Sequence, residues 1–311
     1  MSMAFAFSRW LLLVPLCIGI VLLVPPQVYA ERRLRGQFQG SFLAFFPHFF
    51  EGVYPHGNFS WHHLWFLGHL FLYSLLALPL FRYWHHPAGK RQLARIARIA
   101  GGHFGLLWLA LPLILERHLL WSIFPERHML TSDWSNHALL FVAYLYGFVL
   151  AGTPWLGRVI DATWPSAAVF AGVTSASLVS AVWMGAVPSD IPPAYSAQYL
   201  AFWSVYAITA WTWLVAILGA GRRFIHSDVR WVQYSRWTYP VYLLHQPIII
   251  GVAYFVVQWH IGLWPKAGVL LLAAGLATWV SSGLLLRILR TEAWLDVRTP
   301  ERPAVIASHH L

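Results

Sequence analysis

Long apolar runs alternate with short polar ones along the whole chain. Eight runs are long and apolar enough to be candidate spans: Trp10 to Val28, Leu64 to Phe81, Gly101 to Leu120, His137 to Ala151, Ala167 to Ala186, Tyr199 to Leu218, Tyr239 to Gln258 and Ala267 to Leu286. Crossing about 30 Å of hydrocarbon takes roughly 20 such residues. The runs are continuous rather than alternating, and in lipid a segment must satisfy its own backbone groups, so each is predicted to be a helix. The pattern therefore predicts an all-α fold, a polytopic transmembrane helix bundle of about eight spans. Residues 1–290 are expected to form a single transmembrane domain and residues 291–311 a cytoplasmic tail.

Two runs are interrupted by polar residues at membrane depth, where polar groups are costly and tend to mark functional cavities. In Tyr239 to Ile250, YPVYLLHQPIII, His245, Gln246 and Pro247 stand side by side. Tyr239 and Pro240 suit a helix start, since proline is tolerated in the first turn. Pro247 has no N–H, so the carbonyl of Leu243 loses its helical partner and the helix should kink. His245 shares a side with Tyr242. Two accounts fit this stretch: a polar clamp between helices, or a site in which imidazole is a general base and Gln246 orients a substrate.

The second stretch is Asn58 to Ser74, NFSWHHLWFLGHLFLYS, with Ser60 as an expected N-cap. On one continuous helix His62 and His69 would share a face, with Trp65 and Phe66 on or near it and His63 turned aside. A histidine at a helix mouth is either a boundary or hydrogen-bonded residue, or a participant in chemistry.

Composition agrees with a membrane solvent: 59% of the 311 residues are hydrophobic and 10% charged, against about 25% charged in soluble domains. With both termini cytoplasmic, 15 of the 21 Lys and Arg fall on the cytoplasmic side, as basic residues in short loops do. The formal charge of +10 is then a topology signal and an attraction to anionic headgroups, and it gives no reason to expect nucleic-acid binding. Arg9, the apolar run after it and the small residues before Glu31 also fit a cleavable signal peptide. The single cysteine, Cys17, rules out an intramolecular disulfide and a cysteine-based metal site, and no metal site of another kind is expected. The external stretch Glu31 to His63 contains FLAFFPHFF, Phe42 to Phe50, expected as a short interfacial helix or re-entrant cap. Lys90 to Arg98 form a basic loop, explained by topology alone or by attraction to phosphates. No P-loop, Gly-rich dinucleotide turn or zinc helix motif is present.

Three stretches, GNFSWHHLWFLGHLFLYSLLALPLF, VPPQVYAERRLRG and SRWTYPVYLLHQPIIIGVAYFVVQW, are similar to membrane-bound acyltransferase family 3, especially its branch of glucan-biosynthesis succinyltransferases of the bacterial inner membrane. The resemblance runs from about Arg9 to Arg290. It implies a multi-pass inner-membrane O-acyltransferase moving an acetyl or succinyl group from acyl-CoA to a hydroxyl of a glycan. The implied partners are the lipid bilayer, a carbohydrate acceptor and the acyl-CoA donor as co-substrate, with no bound cofactor. His63 and His245 are the candidate catalytic residues, and His69, Trp65, Gln246 and Tyr242 the candidate substrate-binding residues. In that family the first helix carries a basic residue and, some three turns on, a histidine taken to be catalytic. Arg9 here is followed by Gly19 and Ile20 at that distance. The resemblance thus implies a chain lacking two spans and that histidine, with weak or no transfer by these residues alone. A saccharide transporter or flippase and a non-catalytic remnant are the alternatives; a transporter would show repeated halves with broken helices in matching positions.

Overall fold

The computed structural model describes residues 12–101, 105–121, 123–124, 133–185, 196–225 and 229–288. Trp10, at the start of the first apolar run, most of the stretch from Val187 to Gln198, and the expected tail lie outside them. Among the described residues the chain is helical, with no β-strand beyond an isolated bridge between Val53 and Phe59. The helices are α1 (Val14–Leu22), α2 (Pro25–Leu34), α3 (Phe42–His48), α4 (Trp65–Leu76), α5 (Leu78–His85), α6 (Pro87–Ala100), α7 (Gly105–Trp108), α8 (Leu111–Leu119), α9 (Trp134–Gly152), α10 (Pro154–Trp183), α11 (Ala197–Phe224), α12 (Val229–Val256) and α13 (Leu263–Ile288). A single 3-10 turn, His62–Leu64, precedes α4.

Six segments among the described residues are long and apolar enough to cross a membrane, or seven counting the pair His62–Leu76 and Leu78–His85, which is bent by 48°. The chain is a multi-pass membrane protein. The count of eight differs at the third run, which is two short helices rather than one span. Pro112 sits in the first turn of α8 and supplies no N–H to the turn before it. Side chains take up carbonyls of the broken stretch: Trp211 Nε1 donates to Leu106 O at 2.7 Å and the Tyr146 hydroxyl to Leu109 O at 2.5 Å. An irregular backbone is tolerated at membrane depth only when so covered.

Contacts divide the chain into two compact units, one of Met1–Leu16 with Trp65–Ser227 and one of Cys17–Leu64 with Asp228–Leu311. In the first, α10 and α11 pack closely. Gly219 makes this possible, because a Cβ there would lie 2.1 Å from the Cβ of Trp164. Thr209 donates to Thr174 across the same pair at 2.8 Å.

In the second unit, α12 packs on α13 and on α2. The helix start expected at Tyr239 lies at Val229 instead, and α12 runs through both Pro240 and Pro247. The added turns are held by packing: Trp237 stacks on Trp279 of α13, with centroids 4.2 Å apart and planes at 12°. The stretch between α2 and the 3-10 turn is clamped by Arg32. Its guanidinium donates to Asn58 Oδ1, Gln37 Oε1, Pro55 O and Gly57 O at 2.7 to 3.1 Å. The interfacial helix expected in FLAFFPHFF is α3, capped by Ser41 Oγ, which accepts from Ala44 N. Phe45 and Phe49 are buried while Leu43 is 82% exposed, the one-sided apolar surface of a segment lying at a boundary.

Candidate functional site

Four of the candidate residues, His63, Tyr242, His245 and Gln246, meet in the second unit, and Pro247 of α12 explains part of how. Pro247 withholds an N–H from Leu243 O, and His63 Nε2 lies 3.1 Å from that oxygen. A carbonyl only accepts, so Nε2 carries the hydrogen and, in the neutral ring, Nδ1 carries the lone pair. That Nδ1 is buried with no hydrogen-bond partner, in a residue only 8% exposed. The other side of His63 is held as well, since the Tyr242 hydroxyl donates to His63 O at 2.7 Å.

His245 is fixed by the same reasoning. Its Nδ1 lies 2.7 Å from Tyr242 O and 3.2 Å from Val241 O, so Nδ1 is the donor and Nε2 the lone pair. The two imidazoles face each other edge to face, with centroids 5.5 Å apart. The two candidate catalytic rings are thus in contact.

Gln246 is oriented through a neighbour that sequence reasoning passed over. In the first turn of α2, Gln27, 2% exposed, donates from Nε2 to the carbonyl of Leu23, in the break before that helix, at 2.7 Å. Its Oε1 must then be the acceptor for Gln246 Nε2, 3.2 Å away. Gln246 therefore spends one N–H on Gln27 and keeps its own Oε1 as an acceptor.

His62 was placed on a helical face with His69, yet its φ of +39° takes it out of the helix. This left-handed backbone, in a residue other than glycine, is strain of the kind that gathers at functional sites. Ser60 Oγ accepts from His62 N at 3.1 Å, so Ser60 braces this turn rather than capping α4. The buried Nε2 of His62, like Nδ1 of His63, has no partner. Tyr54 packs on the His62 ring at 5.5 Å and donates to Glu31 Oε1 at 3.2 Å. Burial first, and then the Glu31 carboxylate, push the Tyr54 hydroxyl above its ordinary pKa.

Trp65 and His69, the remaining candidates, belong to the first unit. His69 donates from Nδ1 to Trp65 O at 2.8 Å and stacks on His137 at 4.8 Å. His137 Nδ1 in turn meets the Tyr73 hydroxyl at 2.9 Å. Nearby in sequence to His137, Ser135 donates to Glu116, which pairs with Arg117 at 3.3 Å. Arg117 lies 4.3 Å over Trp121. His137 and Glu116 were missed, although Asp133, Ser135, Asn136 and His137 open an apolar helix, a signal the sequence does carry. Three cavities of this unit, of about 340 to 530 Å³, are lined mainly by apolar side chains, with none of these histidines among their lining residues.

Among the described residues no three His, Cys, Asp or Glu side chains are placed to hold a metal ion. The unpartnered nitrogens of His62 and His63 and the acceptors on His245 and Gln246 suit a ligand that brings O–H or N–H donors. Compared with family models, curated proteins and solved structures, the chain finds no match.

Proposed function

We propose that this protein is an integral-membrane O-acyltransferase that moves an acetyl or succinyl group from acyl-CoA to a hydroxyl of a glycan, in a bacterial inner membrane. The observation that carries the reading is the His63 imidazole, whose tautomer leaves a buried, unpartnered lone pair at Nδ1. A group so placed is a base waiting for an acidic hydrogen, and a hydroxyl is the donor that acyl transfer requires. The resemblance of the Pro247 and His63 stretches to the acyltransferase family supports the same class. The base proposed is His63, within this chain, and not a histidine of a preceding helix.

In the reaction the acceptor O–H gives its proton to His63 Nδ1 as its oxygen attacks the thioester carbonyl. The C–O bond forms, the C–S bond breaks, and the thiolate leaves with the proton returned by the imidazolium. While His63 is charged, its Nε2–H bond to Leu243 O becomes charge-assisted and stronger. His62 Nε2 and Gln246 Oε1 supply acceptors for further substrate hydroxyls.

The test is transfer of labelled acetyl and succinyl groups from CoA to a glucan by the protein in lipid nanodiscs, with free thiol measured beside it. The expected result is acylated glucan and thiol in equal amounts. Thiol release that is the same with and without glucan would refute glycan acylation, and glucan movement without acylation would favour transport.

A further inference from the structure

Proline 247 acts on a side chain outside its own helix. We infer that it is a positioning residue, which by withholding an N–H hands the Leu243 carbonyl to His63 and thereby decides which nitrogen of that ring is free to take a proton. The inference rests on the reading of His63 as the base and deepens it.

An uninterrupted helix pairs the carbonyl of residue 243 with the N–H of residue 247. Here that donor is absent, and a carbonyl left buried without a partner is costly, so the site is open to one donor from outside the helix. His63 fills it from 180 positions away in sequence, at 3.1 Å. Were the N–H present, it would compete for the same oxygen, and the imidazole would lose the contact that distinguishes its two neutral tautomers. The contacts left to it are the ring of His245 at 5.5 Å and that of Tyr242 at 5.9 Å, neither of which fixes a hydrogen on Nε2. At the neighbouring side chain, Gln27 takes Leu23 O, whose helical partner, the N–H of Gln27, goes to Val24 O instead, and so fixes which end of its amide Gln246 meets.

The test reads the tautomer directly, by nitrogen NMR of the full chain with labelled histidine in bilayers, the His63 signal being the one lost in His63→Gln. Wild-type protein at neutral pH is expected to show His63 protonated at Nε2 and bare at Nδ1. Pro247→Ala is expected to populate the other tautomer. A second variant keeps the proline: an ester in place of the Leu243–Leu244 peptide bond, which weakens the 243 carbonyl as an acceptor, is expected to shift the tautomer in the same direction. In both variants kcat is expected to fall by about tenfold or more with KM little changed, a part of what a general base contributes. A His63 bare at Nε2 in wild type, or a tautomer unmoved in both variants, would overturn the inference, as would a moved tautomer with kcat intact. Absence of turnover in wild type would instead refute the acyltransferase reading, and the NMR result would still decide whether Pro247 governs the ring.

Discussion

Arginine 32 is the side chain whose loss should be felt most widely around the site. It is 9% exposed and donates four hydrogen bonds, two of them to the backbone carbonyls of Pro55 and Gly57. Hydrogen bonds to a charged group contribute about 1.5 kcal/mol each at the low end. Four on one side chain are not independent, and water can reach the loop carbonyls once the guanidinium is gone. Half of the simple total, about 3 kcal/mol, is therefore the expected cost of Arg32→Ala to the local opening of this segment. Each 1.4 kcal/mol is a factor of ten, so opening should rise by roughly two orders of magnitude. Its neighbour is the control, because Arg33 makes solvent-exposed bonds, to Gln39 O and to the Tyr254 side chain, and Arg33→Ala should cost far less. Limited proteolysis between Gln37 and Trp61, under conditions where cleavage follows the open population, compares the two variants. Equal cleavage rates would show that the clamp does not hold the loop, and the placement of Tyr54 and His62 would need another cause.

Other expectations address the rest of the fold. In a Cys17→Ser background, thiols introduced by Ile225→Cys and Gly262→Cys, flanking the two ends of α12, should be labelled from opposite sides of the membrane by an impermeant reagent; labelling from one side would refute that span. Gly219→Ala should disrupt the packing of α10 on α11, since its Cβ would meet Trp164 at 2.1 Å, whereas Gly172→Ala, with nothing within 4 Å, should be neutral in thermal unfolding; a cost of about 2 kcal/mol or more is expected for the first, and equal behaviour would contradict the close approach. Trp237→Ala should remove a stacked pair contributing about 1 kcal/mol and speed hydrogen exchange in the turns of α12 before Pro240; unchanged exchange would show those turns to be held otherwise.

Much of this was legible along the chain. Apolar runs located six of the spans, because a membrane solvent imposes one secondary structure and one length. The freed carbonyl of Leu243 was legible too, since proline chemistry is local. Its partner was not: nothing at Leu243 indicates a histidine 180 positions away, and periodicity placed His62 on a helix that its own φ excludes. The third run failed as a span because hydropathy counts residues and does not see that Trp211 and Tyr146 can cover a broken backbone. Gln27 was hidden for a related reason, its role being set by a backbone break beside it and a glutamine on α12.

The central claim, that His63 is the base, is tested most directly by its removal and chemical replacement in the transfer assay. His63→Gln keeps an N–H for Leu243 O but has no basic lone pair, and kcat should fall by about 10² or more with KM nearly unchanged. His63→Ala leaves space at the ring position, and added imidazole should restore part of its activity with a dependence on the neutral form. Turnover by His63→Gln equal to wild type, or no response of His63→Ala to imidazole while the protein remains folded, would contradict the account.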